Sequence, residues 1–195
     1  MRTLWNLLAV IGLLALIAVG YGAYAYGPTL MQVRNLDPGA VQTYTGMFQR
    51  LLETGSSAEA TVWKSKVADG LTFEEVDNSI QSIAAENNIK DVGSLPLSNQ
   101  VEAMTGKPWR KVKIYLYCNP LTAAKMMDYD DAFAAYLPCR VTLVEDKTGQ
   151  LWIYSLDMDM MIHGGKTLPD GLREEAVHVK EIIQDVMKRA AEGDF

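Results

Sequence analysis

The strongest hydrophobic pattern in the chain is an uncharged run from Leu4 to Tyr26. As a helix it extends about 35 Å, enough to cross a hydrocarbon core about 30 Å thick. The tyrosines near its end suit the aromatic belt of a membrane interface. The alternative is a cleaved signal peptide, because residues 23–25 have the small-x-small pattern of a cleavage site. We expect residues 1–27 to form an uncleaved transmembrane anchor, with residues 4–26 in the lipid bilayer.

The charges around this run indicate its orientation. Arg2 and the amino terminus precede it, and Arg34 is the first charge after it. This predicts a single-pass protein of a bacterial inner membrane, with a cytoplasmic N-terminus and a periplasmic main domain. Without Arg2 the chain has 17 basic and 24 acidic residues, a net charge of −7. Such a domain is a poor nucleic-acid binder and has no polybasic attraction to anionic lipid, so the helix must anchor it.

A second pattern has apolar residues at helical spacing just after the anchor. The series is Val41, Tyr44, Phe48 and Leu51. Asp37 precedes it as a good N-cap, and Gly55 ends it. This predicts an amphipathic helix over about 38–54, whose apolar face must be covered by the domain, the membrane surface or a partner. We assign residues 28–57 to this helix and its linker, and residues 58–195 to the main domain.

The main domain mixes strand and helix periodicities. Alternating patterns predict strands over 58–67 and 110–118, and a hairpin over 140–158. A capping box at Thr72 and Glu75 begins one predicted helix, and another begins near Pro169. Residues 89–109 are less regular, with a strand and an interrupted continuation. The prediction is an α+β fold: a mostly antiparallel sheet with helices on one face.

Alternation also predicts which side chains face the core. In 110–118 the series Val112, Ile114, Leu116 and Cys118 alternates with lysines and tyrosines. We expect this aliphatic face to be buried, with Cys139 in the same layer. An even-length hairpin loop would add Trp152, Tyr154, Leu156 and Met158 to that layer. The two cysteines would then lie close together, one before a helix N-terminus that favours its thiolate.

Three interpretations of the pair Cys118 and Cys139 remain open. They are a structural pair, as a disulfide or two buried thiols; a redox-active dithiol; and a Cu(I) site. The pair lacks the Cys-x-x-Cys spacing of redox motifs. The candidate Cu(I) ligands are Cys118, Cys139, Met158, Met160 and His163.

A basic stretch marks one candidate docking surface for an acidic partner. It comprises Lys107, Trp109, Arg110, Lys111 and Lys113. The alternative is an edge strand whose lysines oppose aggregation. The sequence contains no complete catalytic motif, so we expect no enzymatic activity and no cofactor other than Cu(I).

The chain beyond the anchor and the first amphipathic helix resembles the DUF302 family. The resemblance rests on a strand ending in Cys118-x-Pro120, an Ala-rich stretch, and the run from Leu137 to Val141 that opens the hairpin. It covers about 60–190 and implies a fold like that of the TATA-binding protein: strand, helix, four strands, helix. It also implies frequent dimerisation, and it implies no agreed activity.

These observations together predict a membrane-anchored periplasmic accessory or interaction protein. We expect it to bind a larger membrane or electron-transfer complex, and a homodimer is a further expectation. The alternative is a thiol-redox or Cu(I)-handling protein that uses Cys118 and Cys139.

Overall fold

The structure, a computed structural model, describes residues 2–194. It begins with helix α1, Arg2–Val33, whose segment Leu4–Val33 is long and apolar enough to cross a membrane. None of that segment's most apolar stretch is buried against the rest of the protein. Helices of this kind are found in both membrane anchors and signal sequences. The helix does not end near Tyr26 but continues through Pro28 to Val33.

Helix α2, Ala40–Thr54, confirms the predicted amphipathic helix, with Gly55 in the left-handed conformation at its end. The predicted N-cap is wrong. Gly39 occupies the N-cap position, and the Asp37 carboxylate instead accepts a hydrogen bond from the Gly39 N–H at 2.8 Å. A short helix α3, Ser57–Ala60, leads into the sheet.

Five antiparallel strands form one sheet in the order β1-β5-β4-β3-β2. Their bounds are β1 Val62–Lys66, β2 Lys90–Leu95, β3 Val112–Cys118, β4 Cys139–Glu145 and β5 Leu151–Leu156. Helices α4, Phe73–Glu86, and α8, Leu172–Glu192, pack on one face of the sheet and bury apolar side chains in the core. The α+β class and the order strand, helix, four strands, helix are therefore confirmed.

Shorter helices fill the connections. They are α5 Leu97–Thr105, α6 Pro120–Tyr129, a 3-10 helix Asp131–Tyr136 and α7 Asp159–His163. The irregular continuation predicted after β2 is therefore helix α5. Helix α6, the 3-10 helix and the Leu137–Pro138 bond, which is cis, lie between the two cysteines.

The predicted core face of β3 is wrong. Tyr115 and Tyr117 are each 1% exposed and belong to the main core, whereas Ile114 and Leu116 are only partly buried on the other face. The tyrosines suit the core because their rings are apolar, although the buried Tyr117 hydroxyl has no hydrogen-bond partner among the described residues. The Tyr115 hydroxyl donates to Asp77 of α4 at 2.8 Å.

The predicted face of β5 is also wrong, for a different reason. Glu145 lies opposite Leu151, so the hairpin loop has five residues, 146–150, rather than an even number. The Asp146 carboxylate closes this loop by accepting hydrogen bonds from the backbone N–H groups of Thr148 and Gln150. The odd length places Leu151 and Ile153 in the core and turns Trp152, Tyr154 and Leu156 to the opposite face.

Candidate functional site

A small cavity lies where β3 ends and β4 begins, with Cys118 and Cys139 in its wall. Its volume is ≈ 20 Å³, and Met126, Met158 and Met161 also line it. Five of its eleven lining residues therefore carry sulfur, whereas the whole chain has ten methionines and two cysteines. We call this feature the sulfur cavity. Concentration of sulfur at one point of the core is its distinguishing property.

The cysteines meet although the predicted strand parity was wrong. Cys139 lies opposite Tyr117 and is partly buried against the core, as expected for its face of β4. Cys118 is the last residue of β3 and lines the same cavity because strand alternation ends where the chain turns into α6. Met158 likewise follows the end of β5. Both cysteines are free thiols in this structure, so the disulfide allowed by the sequence is not formed.

Burial raises the pKa of both thiols. Desolvation raises the pKa of Cys118, although Lys90 opposes the shift. Burial and the neighbouring Cys118 together raise the pKa of Cys139 to about 11. The predicted stabilisation of a thiolate by the N-terminus of α6 is therefore not found. The Asn119 side chain accepts hydrogen bonds from the first N–H groups of that helix, at Leu121 and Thr122.

Two of the predicted Cu(I) ligands lie away from the sulfur cavity. Met160 lines a different groove, and His163 Nδ1 is hydrogen-bonded to Asp37 Oδ1 at 3.0 Å. The neighbouring Met161 lines the cavity instead. Among residues 2–194 no three His, Cys, Asp or Glu side chains are close enough to hold a metal ion. Metal coordination at the sulfur cavity would therefore need methionine ligands.

Polar contacts fix α2 to the domain. The Tyr44 hydroxyl donates to the Gly164 carbonyl at 2.7 Å, and Arg50 donates to the Asp157 carboxylate at 2.7 Å and to the Ala60 carbonyl at 3.1 Å. Before the helix, Asp37 N–H donates to the Gly165 carbonyl at 2.8 Å. These contacts leave Ala40 fully buried.

The Asp37–His163 pair is part of this attachment. Burial alone would raise the pKa of Asp37, but hydrogen bonds from Gly39 N–H and His163 outweigh it and hold the pKa below its usual value. Asp37 is 5% exposed. The chain between α1 and α2 is thus tied to the α7 region by a buried, ionised carboxylate.

The apolar side of α2 is exposed. It comprises Val41, Tyr44, Phe48, Leu51 and Leu52, which are 55%, 49%, 59%, 37% and 70% exposed. We call these five residues the α2 apolar face. The sequence predicted that this face needs a cover, and within residues 2–194 the domain does not supply one.

An aromatic groove of ≈ 590 Å³ begins at the same helix. Tyr44, Tyr129, Phe133, Tyr136 and Met160 line it, with Lys166 at its polar side. The sequence patterns described above did not predict this groove. The spacing of Tyr129, Phe133 and Tyr136 by four and three positions was the signal that could have indicated it.

A polar pocket of ≈ 370 Å³ lies on the other side of α2. Its charged side chains pair with one another: Arg50 with Asp157, and Lys180 with Asp159. His163 also lines it and is held by Asp37. These charges are already neutralised locally, which leaves little to attract an ionic ligand.

The predicted basic docking surface is divided in the structure. Lys111 contacts Glu74 at 2.6 Å and Lys113 contacts Asp77 at 2.7 Å, both on α4. Arg110 lies over the Trp109 ring at 5.1 Å. Lys107 follows α5 in the loop and is exposed. The alternative of an edge strand is wrong, because β3 lies between β4 and β2.

Residues 63–190 match the family model described as "Domain of unknown function DUF302". The chain therefore belongs to the DUF302 family. Among solved structures it is similar to the crystal structure of an uncharacterised conserved DUF302 protein from Bacillus stearothermophilus, with a TM-score of 0.53 and 14% identity over 67% of this chain and 98% of that chain. At this identity the similarity concerns the fold alone. No curated protein matches the sequence.

Proposed function

We propose that this protein is a membrane-anchored accessory subunit without enzymatic activity, whose periplasmic DUF302 domain binds a neighbouring membrane protein through the α2 apolar face. The single observation that carries the proposal is that five apolar side chains of α2 remain exposed while Arg50, on the opposite side of the helix, fixes it to the domain.

The position of α2 supports a membrane-proximal partner. As 32 residues, α1 is about 48 Å long and exceeds a hydrocarbon core of about 30 Å. Residues 34–39 then join it to α2, and six residues span at most about 20 Å. The start of α2 therefore lies at most about 40 Å from the hydrocarbon core when α1 spans the bilayer, within reach of another membrane protein.

Composition favours a protein partner over lipid. Helices that lie in a membrane interface are rich in Lys and Arg on their polar side. Arg50 is the one basic residue of α2, and it is paired with Asp157. The aromatic groove continues the face with tyrosine, phenylalanine and methionine, which are enriched in protein–protein interfaces. The fitting partner is an apolar helix or loop of another membrane protein.

Photo-crosslinking from within the face tests this proposal. A benzophenone amino acid replaces Phe48 in the full-length protein in native membranes, and a control chain carries it at Leu121, which is 76% exposed on α6. We expect the probe at 48, and not at 121, to give one discrete adduct with a second membrane protein. Adducts with lipid alone, or with a second copy of this chain, would contradict the proposed partner.

Substitution gives an independent measurement. Leu52→Gln and Leu121→Gln change leucines of similar exposure, 70% and 76%, on different helices. The partner identified by crosslinking should co-purify stoichiometrically in mild detergent with the wild type and with Leu121→Gln, and should be lost with Leu52→Gln. Equal recovery with both variants would overturn the assignment of the interface to α2.

A further inference from the structure

We propose that the sulfur cavity binds a single Cu(I) ion, with the thiolates of Cys118 and Cys139 and a thioether of Met158 or Met161 as ligands. The site is separate from the α2 apolar face, so this inference does not depend on the proposed accessory function. It replaces the ligand set expected from the sequence, in which Met160 and His163 took the place of Met161.

The donor atoms available determine the class of metal. Thiolate and thioether are soft ligands that select Cu(I), whereas Mg²⁺, Ca²⁺ and Mn²⁺ require oxygen ligands. The cavity lining has no carboxylate and no imidazole, and Asn119 and Thr122 are its two polar residues. Structural zinc sites use four Cys, His or carboxylate ligands, and this lining provides two cysteines. The methionine side chains favour Cu(I) over Zn²⁺ at this cavity, because thioether ligands suit Cu(I) and not Zn²⁺.

The size of the cavity matches one ion. A volume of ≈ 20 Å³ holds little more than one water-sized sphere, for which roughly 10–15 Å³ is needed. An organic cofactor or a metal cluster is therefore excluded from it. Five sulfur side chains gathered around a space of this size provide more donors than the two to four that a Cu(I) ion uses.

The binding step is balanced without a redox partner. Cu(I) replaces the two thiol protons, so two Cu–S bonds form, two S–H bonds break, and two protons leave to solvent while copper keeps its oxidation state. The product carries one net negative charge. Lys90 lies opposite Cys118 in the pairing of β2 with β3, where its positive charge partly compensates that charge.

Anaerobic titration of the reduced full-length protein in detergent tests the site. Cu(I) is delivered in competition with a coloured Cu(I) chelator, and bound copper is counted after desalting. We expect one Cu(I) per chain, retained on desalting, and sulfur-only coordination in X-ray absorption. Bound copper should also protect both cysteines from alkylation. Copper lost on desalting, or nitrogen or oxygen ligands in the spectrum, would overturn the proposal.

A pair of neighbouring methionines supplies the matched control. Met161→Leu removes a cavity-lining thioether and Met160→Leu removes one from the aromatic groove, with little change of volume in either case. We expect Met161→Leu, alone or with Met158→Leu, to weaken Cu(I) binding on the order of tenfold or more. Met160→Leu should leave it unchanged. Equal effects of Met160→Leu and of the double variant Met158→Leu/Met161→Leu would contradict the site, as would full affinity in a folded Cys118→Ser variant.

Discussion

Cys118 and Cys139 show how burial decides the chemistry of a thiol. Both pKa values are raised, that of Cys139 to about 11, against about 8.5 for a free cysteine. Since only the thiolate is nucleophilic, both groups are mostly protonated and slow to react at neutral pH. This argues against a redox-active dithiol and is compatible with metal binding, in which the metal displaces the protons.

The pH dependence of alkylation measures this property. In the metal-free, reduced protein we expect the rate of Cys139 modification to keep rising between pH 8 and 10, where a free cysteine levels off near its pKa of about 8.5. Peptide mass spectrometry after timed alkylation separates the two cysteines. A plateau for Cys139 below pH 8 would show that its thiolate is stabilised and would restore the redox interpretation.

The ion pair of Arg50 and Asp157 is the main charged contact between α2 and the domain. Asp157 is 4% exposed, so Arg50→Met leaves a buried carboxylate without its charged partner. We expect a loss of about 1–3 kcal/mol in the free energy of unfolding, measured by denaturant titration in detergent. Arg173→Met is the control, because Arg173 is equally exposed but lies 3.7 Å from Glu174 at the surface. It should change stability by less than about 0.5 kcal/mol.

At the level of secondary-structure elements, the turn after α7 limits how closely α2 can lie to the domain. A Cβ on Gly164 would lie 2.2 Å from the Met160 carbonyl oxygen and 3.1 Å from the Tyr44 hydroxyl. A Cβ on Gly165 would meet nothing within 4 Å. The glycine at 164 therefore permits the Tyr44 hydrogen bond that holds α2.

Alanine at these two adjacent positions separates a docking effect from a general loop effect. We expect Gly164→Ala to loosen α2, so that its amide hydrogens exchange faster than in the wild type. Gly165→Ala should leave exchange in α2 unchanged. Hydrogen–deuterium exchange with mass spectrometry reports both, with α8 as the internal reference. Similar exchange in the two variants would mean that α2 is not held by this close approach.

The helices of this fold could be predicted better than its strand faces. In α4 and α8 one periodicity specifies both the element and its buried side, and the capping box at Thr72 fixes a start. In β3 both faces contain large apolar side chains, so alternation alone did not decide between Ile114 and Tyr115. In the hairpin, one additional loop residue reversed every side chain of β5.

The residues that line each site could be predicted only in part, because a local sequence pattern does not contain the path of the chain. Cys118 and Cys139 were expected to lie close together because both were assigned to one apolar layer, and they do line one cavity. The difference between Met160 and Met161 depends on the path of α7, which no periodicity indicates. The sequence also did not decide whether the α2 apolar face is exposed, because a helix packed against the domain would have the same pattern.

For the whole molecule, the proposed interface on α2 requires that α1 be retained as a membrane anchor. If α1 were removed as a signal sequence, the exposed face of α2 would enter solution with no membrane near it. We therefore expect the mature protein to keep α1, with an intact mass of about 21.6 kDa, and to resist extraction from membranes by alkaline carbonate. Added protease should reach residues beyond α1 in spheroplasts and not in inside-out vesicles if the domain is periplasmic, as we propose. A chain beginning near residue 26 in the soluble fraction would instead identify α1 as a signal sequence and remove the basis for a membrane-proximal interface.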